Sequence, residues 1–335
     1  MPPEASAGAL LVVRLAGKGV PMITEEAVTL KAKWGTGAKR QKPKDALVGV
    51  GDTLDPKPRS PAALAARLVD PEAARARRPQ EGTRDEAPRA QQVRRVASLV
   101  RTQQAVMEGI KADAERRDPQ PRTPLVVLLD GARGRWHLAT QLVKPWQHVT
   151  FVLDIMPVVG SLWSAANALF GAASQTGQHG GQQKLTAMRR GRVGYVIGGL
   201  RPILTQQRLR QSVRATRATV LTCFHNHRRW MPYDAYLAAG VPVGTGGVAS
   251  ACGSVVQHRM EGEGKRGSLA GAEAMLTLRS LKKSHDHALR DAWRFHARQG
   301  RVRLYASKPK YRPTARLRRV ASLDSKRLRS RRDGL

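Results

Sequence analysis

Two aspartates stand where open α/β sheets place acids for metal and phosphate chemistry. The apolar run Leu125–Leu129 leads straight into Asp130 and Gly131, and the run 149–153 leads into Asp154, 24 positions after Asp130. Ligand sites in such sheets lie at the carboxyl ends of strands. Paired strand-end carboxylates are how two-metal phosphodiester chemistry holds Mg²⁺. The commoner use of one such aspartate is to cap a turn or the start of a helix.

Three other stretches offer weaker chemistry. "GTGGVASA" (244–251) has the look of a dinucleotide fingerprint. It lacks the buried strand that should precede it, and nothing else supports a nicotinamide site. "CFHNHRRW" carries Cys223, His225 and His227. Alternate residues on a helix do not share a face, and no second ligand pair lies nearby at zinc spacing. Cys252 has His258 six residues on but no acid to orient it, so it reads as a small buried residue rather than a nucleophile.

The charge balance narrows the partner. The 335 residues carry 59 Lys+Arg against 25 Asp+Glu, a net charge of +34. That excess calls for a polyanion, and DNA held through its phosphates fits best. Two cysteines make no disulfide framework, which points to a reducing compartment. The apolar stretch at residues 9–13 is interrupted by Arg14, and no run reaches membrane-spanning length. The expectation is a cytoplasmic, nucleoid-associated protein with no membrane partner.

The elements that must position the aspartates read as follows. "GALLVVRLAGKGVPM" and "DALVGVGDTLDPKP" are strands bounded by Gly and Pro, and "PLVVLLDG" is a central strand buried on both faces. Val93, Val96, Val100, Met107 and Ile110 predict one long amphipathic helix over 88–117. A helix is expected from about Ser161 to Phe170, and a loop over the Gly/Gln-rich residues 172–183. Residues 184–232 read as basic helices, two further helices follow 268, and the basic tail after 301 reads as mobile. Trp136, Trp146, Trp163, Trp230 and Trp293 are expected to fill the core rather than stack on bases.

Several stretches together resemble one family. "PLVVLLDGARGRW", "FVLDIMPVVGSLWSAANALFG", "YDAYLAAGVPVGTG" and "SACGSVVQHRMEGEGKRGSLAGAEAMLTLR" are similar, in this order, to the Kra-type insertion-sequence transposases. These are DDE enzymes distantly similar to the Mutator-type group. The resemblance covers roughly residues 8–320. It implies an α/β fold: a ribonuclease-H-like mixed sheet core with an α-helical insertion and a basic helical C-terminal part. The implied divisions are 1–160 (first part of the core), 161–239 (basic helical insertion), 240–300 (closing helices) and 301–335 (tail). It also implies a chain lacking the family's N-terminal DNA-recognition segment.

In that family three carboxylates hold two Mg²⁺ ions for DNA strand cleavage and joining. Carried onto this chain, the trio falls on Ala16, Asp130 and Ala249, so only one acid remains. Asp154 is a possible further ligand, but the histidine expected three residues after it is Pro157, and the tryptophan expected after "GKR" is Gly267. A methyl group supplies no ligand, so Mg²⁺ binding should be weak or absent. The resemblance therefore implies a DNA-transposition protein that no longer cuts, or a repressor of active relatives through shared DNA ends or mixed oligomers. Homo-oligomers are also expected. The residues expected to touch DNA are Lys18, Arg133, Arg135, Arg189, Arg190, Arg208, Arg210, Arg259, Lys265 and Arg266.

Overall fold

The computed structural model describes residues 9–23, 44–61, 64, 90–170, 174–204, 220–244, 246–261, 266–284 and 288–306. Its centre is a five-stranded mixed sheet of order β3-β2-β1-β4-β5. The strands are β1 (Leu10–Val20), β2 (Lys44–Leu54), β3 (Gln91–Ser98), β4 (Leu125–Leu129) and β5 (Val149–Leu153). β1, β2 and β3 form an antiparallel meander, while β4 runs parallel to β1 and β5 parallel to β4. The continuous apolar run of β4 is buried at every residue, as a strand covered on both faces must be.

Period-two alternation on β2 sorts its two faces. On one face Gly49 and Gly51 meet helix α1 (Gln103–Arg117), and a Cβ added to Gly49 would lie 2.8 Å from Ile110 Cγ1. Glycine there lets the helix lie close on the sheet. On the other face Ala46, Val48 and Val50 are buried against Val248, Ala251, Val255, Val256 and Leu276. Burying each valine contributes roughly 1.5–3 kcal/mol.

The expected helix over 88–117 is two elements: residues 91–98 are edge strand β3, and the helix starts at Gln103 after the N-cap Thr102, whose side chain accepts from Ala105 N at 3.2 Å. Helix α2 spans Arg133–Leu142. Helix α3 spans Ile155–Phe170, beginning earlier than expected. Pro157 sits in its first turn, where backbone N–H groups have no intrahelical partner to lose. The expected loop over 172–183 is mostly helix α4 (Gln175–Arg189). Gly181 permits it, since a Cβ there would come within 2.7 Å of Trp163.

Helix α5 (Val193–Leu204), a helical stretch over 220–227, α6 (Tyr233–Ala238), and α7 follow. α7 starts at Gly246–Ala251, widens into a π turn at Cys252–Gln257 and ends at His258–Met260. α8 (Leu269–Lys283) packs beside β3, where both carboxylate oxygens of Glu273 accept from the strand's end, Ser98 Oγ and Leu99 N at 2.7 Å each. The chain divides into a unit Met1–Asp286 and a unit His287–Leu335, so the division falls inside the expected 240–300 segment. In the second unit the described element is helix α9 (Ala288–Ala306), which exposes Trp293 at 74%. That corrects its expected place in a core. Most of the expected tail lies outside the described residues. Among the described residues no helix is long and apolar enough to cross a membrane.

Candidate functional site

The sheet register brings two of the three expected positions together. The β1–β4 pairing ends at Leu15↔Leu129, so Ala16 and Asp130 are the next residues on neighbouring parallel strands. β4 pairs β5 through Leu129↔Leu153, which puts Asp154 next in line, its N–H donating to Leu129 O at 2.8 Å. Ala16 packs against the cluster containing Val248 and Ala251 of α7, the helix that carries Ala249. Ala249 itself is exposed.

The Gly-rich turn before α7 has a local physical reason. Arg14, two residues before Ala16 on β1, is 4% exposed and pairs with the buried Asp52 of β2. A Cβ on Gly247 would sit 3.2 Å from Arg14 Nη1. Glycine lets the start of α7 lie over this guanidinium, where a larger residue would force the helix away.

Both oxygens of Asp130 are committed. One accepts from Ala132 N at 3.1 Å, and the other accepts from Arg135 Nη1 in an ion pair. The Asp130 main-chain carbonyl accepts from Trp136 Nε1 at 2.6 Å. Arg135 reaches back over β1: a Cβ on Gly17 would lie 2.7 Å from its Nη2. Its charge extends to Cys252 on α7. The Cys252 thiol is pushed up to about 11, chiefly by burial, with Lys18 and Arg135 pulling the other way. The space between β1, β4 and α7 is thus occupied by a fixed monocation.

Asp154 is 3% exposed, and its Oδ1 accepts from Met156 N at 3.0 Å, the capping role at the start of α3. Above the end of β4, Cys223 and His227 do meet, although the triple Cys223, His225, His227 does not. His227 Nδ1 donates to the Cys223 carbonyl at 2.7 Å, and the Cys223 sulfur lies 3.8 Å from the same nitrogen. His227 is buried beside Trp136 and Trp230, tilted against both rings, which stack on each other at 4.0 Å with 17° between planes. The i, i+4 spacing of Cys223 and His227 was the available signal for this pair. Among the described residues no three His, Cys, Asp or Glu are grouped to hold a metal.

The basic residues separate by burial. Arg135 is tied to Asp130 and buried at 8% exposure. Arg189 is also buried and donates to Leu185 O, Pro61 O and Thr186 Oγ1. These two are internal clamps rather than the expected DNA contacts. Lys18 pairs with Glu261 at 3.4 Å. Arg133, Arg190, Arg259 and Arg266 are exposed. Arg208, Arg210 and Lys265 lie outside the described residues. Comparison with protein-family models, with curated proteins and with solved structures finds no match to this chain.

Proposed function

We propose that this chain is a transposase-type protein with a ribonuclease-H-like core that holds DNA without cutting it. The sheet supports that reading: three antiparallel strands continued by two parallel ones, in the order β3-β2-β1-β4-β5, are compatible with such a core. The sequence resemblance, the net charge of +34 and the exposed Arg133, Arg190, Arg259 and Arg266 support the DNA partner.

One observation carries the loss of cutting. Asp130 is the sole acid of the expected trio, and its carboxylate is neutralised by Arg135 with Ala16 beside it on the next strand. Mg²⁺ demands near-octahedral oxygen ligation. One carboxylate with both oxygens engaged, with Ala16 beside it on the next strand, does not fit that ion. No catalytic step through a metal is assigned to these residues.

The reading is tested with a DNA duplex and a supercoiled plasmid. Binding should weaken steeply as salt rises, through counterion release. Mg²⁺ should produce no nicking. Metal-dependent cleavage by the unaltered chain would overturn the inactive reading; binding that is absent or insensitive to salt would overturn the DNA partner. Repression of active relatives, through DNA ends or mixed oligomers, is the second reading. It is favoured by the same combination of retained charge and engaged Asp130, and co-expression with an active relative tests it by the relative's transposition frequency.

A further inference from the structure

A cavity of about 290 Å³ opens between the end of β1, the last turn of α7 and the first turns of α8. Its floor is apolar and buried: Val20 is 1% exposed, Met260 8% and Ala272 2%. Met275 flanks it on the exposed side of α8. The cavity is open because its wall is backbone at Gly267 and Gly271. A Cβ on Gly267 would meet nothing closer than Ala272 Cβ at 3.9 Å, so a large side chain there would project into free space.

The rim has the opposite character. Arg259 and Arg266 line it, both exposed, and among the described residues neither has a carboxylate partner. Arg279 lies within electrostatic reach of Arg259, but its own guanidinium donates to the Ser254 and Val255 carbonyls of the π turn. Among the described residues the mouth is therefore positive charge over an apolar floor.

That pairing selects a ligand. The volume sits at the low end of small-molecule sites, roughly 300 Å³ upward, which suits one flat ring system and excludes a helix or a peptide loop. Thioethers on two sides make soft contacts with an aromatic ring. Guanidinium forks grip a phosphate. A flat ring joined to a phosphate is a nucleotide. A base paired inside a duplex cannot enter, so the base must be unpaired or turned out of the stack.

We infer that this cavity receives one unpaired nucleotide of a DNA strand, with its base between Met260 and Met275 and its phosphate on Arg259 and Arg266. The inference deepens the DNA-binding reading and rests on it for the source of the nucleotide, though not for the chemistry of the cavity.

The test uses the full chain carrying ¹³C-methyl methionine. Met260→Leu and Met275→Leu assign the two signals. The probes are deoxyadenosine monophosphate, a blunt duplex, the same duplex with one unpaired terminal adenine, and that duplex with an abasic overhang. Both methyl signals should shift with the free nucleotide and with the adenine-tailed duplex, and stay still with the blunt and abasic ones. The tail should tighten binding about tenfold, within the range that burying one base supports. Gly267→Trp should abolish the shifts and the preference for the tail while leaving blunt-duplex affinity unchanged. Arg259→Gln with Arg266→Gln, both at exposed positions, should weaken the shifts without a folding defect. Methyl signals silent to both adenine probes, or shifts surviving Gly267→Trp, overturn the inference even if duplexes bind. Shifts with the free nucleotide but no affinity for any duplex keep the cavity as a nucleotide site and remove the DNA reading instead.

Discussion

Arg135 donates to the Asp130 carboxylate from five residues along the chain, within the first turn of the helix that Asp130's own turn begins. The counter-charge is local. Asp130 is 30% exposed and Arg135 10%, so solvent screens the pair only in part.

This changes what restoring the lost acids should achieve. Ala16→Asp with Ala249→Glu rebuilds the expected carboxylate set, but it places new negative charge beside a guanidinium already filling the space. We expect the double variant to remain inert with Mg²⁺ in a plasmid-nicking assay. Adding Arg135→Gln should release Asp130 and give the first detectable metal-dependent nicking. Nicking by the double variant alone would show that Arg135 does not block the position.

The Arg14–Asp52 pair is the deepest charge in the sheet, with side chains 5% and 1% exposed. Arg14 Nε and Asp52 Oδ1 have no hydrogen-bond partner. Removing one partner strands the other, so Asp52→Ala should lower stability by about 3–5 kcal/mol in a urea titration. Replacing both with apolar residues, Arg14→Met with Asp52→Leu, should recover most of that loss, because two buried ions no longer need desolvating. A double variant as unstable as Asp52→Ala would show that the pair contributes more than it costs.

How much of this was readable beforehand depended on whether local pattern and tertiary demand agreed. β1, β2, β4 and β5 were legible because their apolar runs end at Gly, Pro or Asp, and no helix buries five consecutive residues so evenly. β3 was not. Val93 and Ala97, its buried apolar residues, are four apart, which keeps one face of a strand and one face of a helix alike. The bulge between Gly51 and Thr53 and the positive φ of Gln92 blur its alternation further. α4 was illegible because its Gly and Gln residues have no helical pattern of their own; contact with Trp163 at Gly181 supplies the reason. At the site, Asp130 was legible as a strand-end acid and Ala16 only through the resemblance, but the engagement of Asp130 by Arg135 was not, since "DGARGRW" reads equally as a basic surface turn.

Gly240 tests a backbone requirement. Its φ is +74°, and a Cβ there would collide with the backbone of Pro56 and Lys57. The close approach is held by Lys57 N donating to Gly240 O at 3.3 Å. Gly240→Ala must adopt a left-handed conformation and also push the 56–57 segment away. We expect a loss of roughly 1–3 kcal/mol, read as a lowered melting temperature. Gly246→Ala, where no atom lies within 4 Å, is the control and should be near neutral by comparison. Equal effects at the two positions would remove the steric argument.

Alkaline pH should loosen this fold through groups whose neutral forms it favours. Burial pushes the Cys252 thiol up to about 11 and the Tyr236 phenol up to about 12. Burial also raises Cys223, with Asp130 adding to it. The sign follows from proton counting. Above the unfolded thiol pKa, near 8.5, the unfolded chain gives up protons that the folded chain keeps, so stability falls as pH rises. The urea midpoint should decline from about pH 9 onward, and Cys252→Ala should flatten part of that decline. In the folded protein, alkylation of Cys252 at pH 8 should run about a hundredfold slower than for free cysteine, because so little thiolate is present. A midpoint that holds steady or rises above pH 9, with Cys252 alkylated as fast as free cysteine, would mean that neither thiol is held neutral by this packing.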